Sequence, residues 1–343
     1  MSKKRIALIV ISVLLVVGGG IAWYFYQKIY APNIKTPNGK EAFVFIHSGD
    51  DYHNVLANLS PFLKDVDAFE WTAARKDYND SSIKPGRYRL TDGMANNTLI
   101  NMLRGGLQAP VRVTFNNVRL KTDLAGKIGK YLEIDSIGII NLLNDRSTAK
   151  NYGFNDTTFM AMFIPDTYEF KWTTTAQQFV ERMKKEYDKF WTDERKKLAG
   201  ELKLSPTQVS TLASIVQSET NMADERKRIA GVYINRLNVG MPLQADPTLK
   251  FAVGDFTLKR ILNKHMEVES PYNTYKYAGL PPGPICLPDA PCIDAVLNYE
   301  RHDYLYFCAK EDFSGYSNFA VTYQQHLQNA QKYQSALNKR GIR

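Results

Sequence analysis

Glu219 is the residue in this chain whose setting most favours chemistry. Ser205 followed by proline is typical of a helix N-terminus, so the sequence predicts a helix beginning there. Val209, Leu212, Val216 and Glu219 then recur at spacings of three and four residues, which places them on one helical stripe. Three members of the stripe are apolar, and the fourth is a carboxylic acid on the side expected to face the core.

Two interpretations of this acid are open from the helix alone. Burial would raise the pKa of Glu219, because desolvation penalises the charged form, and a carboxyl protonated near neutral pH is what a general acid requires. Alternatively, Glu219 is solvated or paired with Arg226 or Arg228 at the end of its helix. Charged residues are mostly exposed, so the helix alone favours the second interpretation.

Two stiff polar segments follow this helix. Pro242-Leu-Gln-Ala-Asp-Pro-Thr248 is predicted to be a polar loop pinned by two prolines. Ser270-Pro-Tyr-Asn-Thr-Tyr275 and Gly279-Leu-Pro-Pro-Gly-Pro284 are expected to present aromatic rings and amides at fixed positions. Such loops over a buried acid are typical of a polysaccharide groove, where rings cover sugar faces and amides bond hydroxyls. The alternative is a structural loop whose tyrosines belong to the core.

Composition limits the class of protein. The chain has 343 residues, 44% apolar and 23% charged, which is ordinary for a protein with a packed core. Its formal charge of +9 comes from scattered lysines and arginines, and no nucleic-acid-binding motif is present, so we expect no nucleic-acid partner. Cys286, Cys292 and Cys308 make no disulfide framework and no metal-ligand spacing, although a bond between the first two is left open.

The N-terminus predicts a membrane anchor. Residues 1–5 form a basic head, residues 6–26 carry no charge, and residues 27–40 are expected to be a linker. An apolar run of 21 residues is long enough to span a bilayer, and its aromatic end suits the membrane interface. The positive head is expected to stay inside the cell. A cleaved signal peptide is the alternative, but the run is longer than usual and no small-residue cleavage site follows.

Residues 41–108 are predicted to form a small α+β module. The predicted order is strand, helix, helix, strand. The strands are Ala42–Ile46 and 87–90, and between them lie a helix capped by Asp50 or Asp51 and a helix over 61–75. Asn96 or Asn97 is expected to cap a further helix, which ends at two glycines. The order is similar to that of a LysM module, which binds glycan in other proteins. A spacer without a ligand is equally compatible.

Residues 109–343 are predicted to form a second, mixed α+β domain, so the overall class is α+β with one transmembrane helix. The expected elements before Glu219 are a strand at Val111–Phe115 and helices at 122–132, 136–143 and 175–198. After Glu219, Asp224 is predicted to cap a helix with an apolar face, which Gly240 ends.

Five motifs, in their order and spacing, resemble the endolytic murein transglycosylase family, also called the YceG-like family. They are Phe163-Ile-Pro-Asp-Thr-Tyr168, Ala213-Ser-Ile-Val-Gln-Ser-Glu-Thr220, Val232-Tyr-Ile-Asn-Arg-Leu237, Leu243-Gln-Ala-Asp-Pro-Thr248, and the two segments within 270–284. The resemblance covers the whole chain. It implies a single membrane helix, a LysM-like subdomain at 41–108 and a catalytic domain at 109–343.

The resemblance implies cleavage of the β-1,4 bond between N-acetylmuramic acid (MurNAc) and N-acetylglucosamine (GlcNAc) inside peptidoglycan strands, which leaves 1,6-anhydro-MurNAc ends. The family's catalytic glutamate corresponds to Glu219. One carboxyl can serve this reaction, first as acid and then as base, whereas an ordinary glycosidase needs two. Many family members have Glu where this chain has Gln217, and Cys286-Leu-Pro288 also departs from the usual pattern.

The expected substrate-binding residues lie in the two stiff segments. They are Gln244, Asp246, Tyr272, Asn273, Thr274 and Tyr275. Asp246 has an alternative role in capping a turn before Pro247. We expect no metal and no cofactor, because neither is required by the reaction.

The expected location is the bacterial cytoplasmic (inner) membrane, with the catalytic domain on its periplasmic or extracytoplasmic side. The expected partners are peptidoglycan strands, the membrane and peptidoglycan synthases (penicillin-binding proteins), beside which the family trims or terminates nascent strands. Two other hypotheses are a non-enzymatic scaffold that binds peptidoglycan and a hydrolase that leaves reducing ends.

Overall fold

The first element of the fold is a long apolar helix, α1 (Lys3–Tyr30), in a computed structural model that describes residues 3–258 and 260–341. An 18-residue window of α1 has a mean hydropathy of 2.6 and contains no buried residue, so the helix is apolar and long enough to cross a membrane. The predicted span 6–26 lies within it.

The remaining elements are mostly short helices, as follows. The helices are α2 (Tyr52–Leu59), α3 (Val66–Arg75), α4 (Asn96–Gly105), α5 (Lys121–Ile128), α6 (Ser136–Asn144), α7 (Arg146–Asn151), α8 (Ala176–Phe190), α9 (Asp193–Glu201), α10 (Pro206–Glu219), α11 (Arg226–Asn238), α12 (Asp246–Val253), α13 (Asn263–Met266), α14 (Ala290–Leu297) and α15 (Tyr323–Lys339). The strands are β1 (Ala42–Ile46), β2 (Gly86–Leu90), β3 (Val111–Phe115), β4 (Asp166–Phe170), β5 (Tyr306–Ala309) and β6 (Ser317–Ala320). They pair as β1–β2, β3–β4 and β5–β6, so the predicted mixed α+β class is confirmed.

The chain divides into two compact units. One contains the described residues up to Val113 together with Tyr131–Ile134 and Glu169–Thr174. The other contains Thr114–Lys130, Asp135–Tyr168 and the described residues from Thr175 onward.

The first unit is built around the antiparallel pair β1–β2, with α2 and α3 between the two strands in sequence. The order strand, helix, helix, strand is therefore present as predicted. Alternate strand residues such as Val44, Ile46 and Tyr88 are buried, because successive side chains of a strand point to opposite faces. They join a core that includes Phe69 of α3 and Leu99 of α4.

The end of α1 is anchored to this unit. The backbone carbonyl of Lys28 accepts hydrogen bonds from Thr72 Oγ1 at 3.2 Å and from Asn96 Nδ2 at 2.9 Å. The rings of Phe25 and Trp71 stack with their centroids 4.7 Å apart. The apolar helix and the first unit are thus joined by side-chain contacts as well as by the chain.

Two predicted helix starts in the first unit are wrong. Pro61 lies in a short 3-10 turn, and the helix that follows begins at Val66 with Asp65 as its N-cap. Asn96 is the first residue of α4 and not its cap, because its amide is buried and bonds to Lys28 instead. The predicted cap Asp51 is confirmed, since its side chain accepts from the backbone N–H of Asn54.

The second unit has α10 at its centre. Eight consecutive residues of this helix, 209–216, are buried, and it packs against α9, α11, α12 and α14. The hairpin β5–β6 packs against α11 and α15. A helix buried on nearly all sides is held in place by the elements that surround it, which fixes the position of its last residue, Glu219.

The structure corrects several boundaries in the second unit. The helix predicted over 175–198 is broken at Trp191, where Thr192 caps a new helix, and the helix predicted over 122–132 ends at Ile128. Asp224 is not a cap: the N-cap position of α11 is Glu225, whose carboxylate accepts from the backbone N–H of Ser317. The loop predicted over 242–248 becomes helical at its end, because α12 begins there with a proline in its first turn.

The start of α10 supports a test of how firmly this helix is held. The hydroxyl of Ser205 accepts from Gln208 N–H at 3.2 Å, and Gln208 Oε1 accepts from Ser205 N–H at 2.8 Å, which is a capping box. We expect Ser205→Ala to lower the free energy of unfolding by about 1 kcal/mol, because one backbone donor loses its acceptor. Thermal unfolding of the detergent-solubilised chain, followed by circular dichroism, measures the change.

Ser205→Asp is the matched control, since aspartate also accepts at the N-cap, and it should leave the unfolding temperature nearly unchanged. Equal unfolding temperatures for wild type and Ser205→Ala would contradict the assigned capping box.

Candidate active site

Glu219 is the last residue of α10, and the structure places it beside buried groups, as the helical stripe predicts. Val209, Leu212 and Val216 are fully buried, and the Glu219 side chain is half-buried at the end of their stripe. Glu219 is partly buried because it lies on the same face of α10 as these apolar residues. It is partly exposed because it lies at the end of the helix.

A tyrosine of the neighbouring helix holds this carboxyl. Tyr233 of α11 is 1% exposed, and its hydroxyl donates a hydrogen bond to Glu219 Oε1 at 2.7 Å. No described residue donates to Oε2, the other carboxyl oxygen of Glu219. One oxygen is therefore fixed by the protein, and the other is left for a ligand.

Burial raises the pKa of Glu219 to about 7. The hydrogen bond from Tyr233 acts in the opposite direction because it favours the carboxylate, while the negative charge of Asp246 raises the pKa further. Arg236 and Lys250 lower it. A carboxyl with a pKa near neutrality is present in both protonation states at physiological pH, which suits a group that gives and then takes a proton.

Arg236 ties the loop before α12 to the helix that carries Tyr233. Its Nε donates to the carbonyl of Leu305 at 2.6 Å, and its Nη1 donates to the carbonyl of Leu243 at 2.7 Å. The bond to Leu243 holds the start of the 243–248 loop against α11, and the bond to Leu305 holds the residue before β5 against the same helix.

The two segments predicted to form a groove are bonded to each other through Thr274. Its hydroxyl accepts from the backbone N–H of Ala245 at 3.0 Å and contacts the Thr248 hydroxyl at 2.8 Å. The backbone N–H of Gln244 donates to the Thr274 carbonyl at 3.0 Å. Gln244 has a positive φ of 48° and an exposed side chain, which leaves its amide available to a ligand.

Asn273 and Thr274 lie inside these loops. The Asn273 side chain is fully buried, donates to the carbonyls of Met266 and Val268, and accepts from the backbone N–H of Tyr275. Their side chains hold the loops in shape, so these two residues position their neighbours. The prediction that Asn273 and Thr274 also contact the substrate stays a prediction.

Asp246 and Tyr275 form a more accessible pair. The Tyr275 hydroxyl donates to Asp246 Oδ1 at 2.6 Å, and Asp246 is exposed. Asp246 is the first residue of α12, so both interpretations from the sequence remain open: it lies at a helix start and also within electrostatic reach of Glu219.

Tyr272 lies half-buried against the ring of Phe251, with ring centroids 4.6 Å apart. The nearby Gly283 is packed so closely that an added Cβ would lie 1.9 Å from the carbonyl oxygen of Thr157. Only glycine fits there, which explains one glycine of the proline-rich motif.

Gln217 faces away from Glu219. Its Oε1 accepts from the backbone N–H of Asp289 at 2.7 Å, and its Nε2 is 3.5 Å from the carbonyl of Leu287. Gln217 thus holds the loop before α14 against α10.

The sequence leaves open a disulfide bond between Cys286 and Cys292. In the structure both are buried free thiols, so no disulfide joins them.

Sequence reasoning missed the roles of Tyr233, Arg236 and Lys250. Tyr233 and Arg236 lie in the motif Val232-Tyr-Ile-Asn-Arg-Leu237, within a helix predicted from its apolar face, and the sequence assigns neither residue a role. A hydroxyl on an otherwise apolar stripe was the available signal, because a buried tyrosine hydroxyl needs a partner. Within the described part of the chain, no three His, Cys, Asp or Glu residues are grouped as metal ligands are.

A family model described as the YceG-like family matches residues 44–332. The chain belongs to the YceG-like family. The resemblance found in the sequence motifs is therefore confirmed.

Relatives and a solved structure agree with this family. The chain is 29% identical to an endolytic murein transglycosylase of Bacillus subtilis, over 95% of this chain and 93% of the relative. It is 26% identical to an endolytic murein transglycosylase of Streptococcus pneumoniae, over 97% of this chain and 66% of that protein. A crystal structure of a YceG-like protein from Listeria monocytogenes has a TM-score of 0.57 at 26% identity and covers 85% of this chain and 99% of its own. The prediction of an enzyme of the lytic transglycosylase class is confirmed.

The hydrogen bond from Tyr233 predicts a change in the titration of Glu219. Tyr233→Phe removes a donor that favours the carboxylate, so we expect the pKa of Glu219 to rise by about one unit. Carbon-13 NMR of the labelled side-chain carboxyl, followed across a pH series, measures this pKa. Tyr316→Phe, which removes a hydroxyl bonded to Asp224 and not to Glu219, is the control. An unchanged or lowered pKa in Tyr233→Phe would contradict the assignment.

Burial of Glu219 also predicts a pH dependence of stability. The carboxyl has an ordinary pKa of 4.5 and a folded pKa of about 7, so between these values the folded state binds the proton more tightly. Wild type should therefore lose stability as the pH rises through this window, and Glu219→Gln should not. We expect the variant to gain about 1–3 kcal/mol over wild type between about pH 5 and about pH 8.

Denaturant unfolding at the two pH values measures this difference. Glu201→Gln, at the exposed end of α9, is the control and should show no such gain. If the difference in unfolding free energy between Glu219→Gln and wild type were the same at both pH values, the raised pKa of Glu219 would be contradicted.

Proposed function

We propose that this chain is a membrane-anchored endolytic lytic transglycosylase. It cleaves the β-1,4 bond between MurNAc and GlcNAc within peptidoglycan strands and leaves 1,6-anhydro-MurNAc ends. The observation that carries the proposal is the setting of Glu219: a half-buried carboxyl with a pKa near 7, one oxygen held by Tyr233 and the other without a donor among the described residues. The names of the relatives support the substrate class.

In the first step, protonated Glu219 acts as the general acid. The Tyr233 hydroxyl holds Oε1, so the proton is carried on Oε2, to which no residue in the described part of the chain donates. This proton passes to the glycosidic oxygen as the bond from C1 of MurNAc to that oxygen breaks. The leaving GlcNAc then carries a neutral hydroxyl, and Glu219 becomes a carboxylate.

In the second step, the Glu219 carboxylate acts as the base. It takes the proton of the C6 hydroxyl of the same MurNAc, and the C6 oxygen forms a bond to C1, which closes the anhydro ring. Glu219 regains its proton and no water is consumed. The Tyr233 hydrogen bond and the charges of Arg236 and Lys250 stabilise the carboxylate between the two steps.

The groove is proposed to be formed by the 243–248 and 270–284 segments. Gln244 would bond sugar hydroxyls or acetamides, and the rings of Tyr272 and Tyr275 would cover sugar faces. Asp246, held by Tyr275, would keep the proton on Glu219 in the free enzyme through its negative charge. Asn273 and Thr274 would keep these groups in place.

The proposed location is the cytoplasmic (inner) membrane, with α1 as a single-pass anchor and the catalytic groove on the periplasmic or extracytoplasmic side. The basic residues that precede the apolar run support this orientation. The order of β1, α2, α3 and β2 supports a LysM-like module in the first unit. A tethered groove lies where new strands emerge, which suits trimming or termination beside peptidoglycan synthases.

The test is a product assay on purified glycan strands with wild type and Glu219→Gln. Wild type should release fragments with anhydro ends, and Glu219→Gln should lower the rate by at least about a hundredfold, because the general acid is lost. Mass spectrometry identifies the ends, since a reducing end is one water heavier than an anhydro end. Glu201→Gln is the matched control and should retain wild-type activity.

The outcomes separate the competing functions. Reducing ends that depend on Glu219 would make the protein a hydrolase. Binding to peptidoglycan without any change in strand length would make it a scaffold. Full activity in Glu219→Gln would remove Glu219 from the mechanism.

A further inference from the structure

A cleft of about 900 Å³ in the second unit adjoins the end of α10 and is rich in cations. Five lysine or arginine side chains line it against two aspartates. The cations are Arg119, Lys127, Lys130, Arg226 and Lys250, and the aspartates are Asp123 and Asp289.

These cations are poorly neutralised within the described residues. Among the described residues, the Nε of Arg226 is buried without a hydrogen-bond acceptor. No salt bridge of the described residues includes Lys130 or Lys250. Asp123 keeps its negative charge while its carboxylate accepts from the backbone N–H groups of Arg119 and Leu120 at 3.2 and 2.9 Å. Five cations against two aspartates leave the cleft a formal excess of three positive charges. A buried donor without a partner costs free energy unless a ligand satisfies it.

The cleft is continuous with the surroundings of Glu219. Asn221, two residues after Glu219, belongs to its wall, and so does Pro247, which follows the Asp246 whose charge acts on Glu219. Lys250 both lines the cleft and acts electrostatically on Glu219. A strand whose scissile bond lies at Glu219 therefore brings its neighbouring substituents to this cleft.

The charge of the cleft selects among the parts of such a strand. The sugar rings, hydroxyls and acetamides of a glycan are neutral. Its anionic groups are carboxylates on the muramyl substituent, either the lactyl carboxylate of a bare strand or the carboxylates of a stem peptide. Arginine and lysine bind carboxylates through charge-assisted hydrogen bonds.

We propose that this cleft is a carboxylate-binding subsite that recognises the muramyl substituent beside the scissile bond. The inference rests on the proposed function. Arg226 supplies an Nε donor that has no acceptor among the described residues, and Lys130 supplies an exposed charge at the same cleft. The subsite makes the enzyme select strands by the charge of their substituents as well as by their sugars.

Binding is measured with detergent-solubilised Glu219→Gln, so that no strand is cut. The probes are fluorescently labelled strands of two kinds, peptide-bearing and peptide-free, each in native form and with its carboxylates converted to methylamides. Affinity follows from fluorescence anisotropy. We expect native strands of at least one kind to bind about tenfold more tightly than their amidated form.

In the same Glu219→Gln background, Arg226→Gln/Lys130→Gln should bring the ratio of native to amidated affinity close to one. Lys185→Gln/Lys189→Gln removes two exposed charges of α8 outside the cleft lining, and it should keep the ratio. If only peptide-free strands bind more tightly in native than in amidated form, the lactyl carboxylate is the ligand. If peptide-bearing strands do so, the ligand is a carboxylate of the stem peptide.

Equal affinity for native and amidated strands of both kinds would overturn the inference, and so would equal effects of the two double variants. The proposed function is tested separately by the anhydro ends that wild type releases. A failure of cleavage with a preserved affinity ratio would overturn the function alone, and cleavage without the ratio would overturn the subsite alone.

Discussion

The site depends on one hydrogen bond, from the buried hydroxyl of Tyr233 to Oε1 of Glu219. It joins the last residue of α10 to the middle of α11, so the two helices must keep their mutual register for the bond to form. Burial would otherwise push the carboxyl further toward its neutral form, and the hydrogen bond limits that shift. The resulting balance leaves Glu219 with a pKa near neutrality, as a group that works as acid and then as base requires.

The surrounding elements maintain this balance. The capping box at Ser205 and the buried sides of α10 fix the helix that ends in Glu219. Arg236 binds the 243–248 loop to α11, and Thr274 binds the same loop to the 270–284 segment. The two segments predicted to form a groove are thus bonded to each other and to α11.

The sequence predicted the parts of this assembly that have a local signal. The period of Val209, Leu212 and Val216 located Glu219 on a buried stripe, and the Ser-Pro pair located the start of its helix. Tyr233 was harder to assign, because a tyrosine on an apolar stripe has the same pattern whether its hydroxyl is exposed or bonded to a residue on another helix. The buried amide of Asn273 was also out of reach, since its partners depend on a loop conformation that composition alone does not specify.

The central claim, that Glu219 alone serves as acid and base while the substrate's own hydroxyl attacks, is tested most directly by cleavage in water enriched in oxygen-18. Attack by the C6 hydroxyl places no solvent oxygen in the product, so the account predicts anhydro ends without the label. New ends carrying one labelled oxygen, formed in wild type and lost in Glu219→Gln, would show a water nucleophile and contradict it.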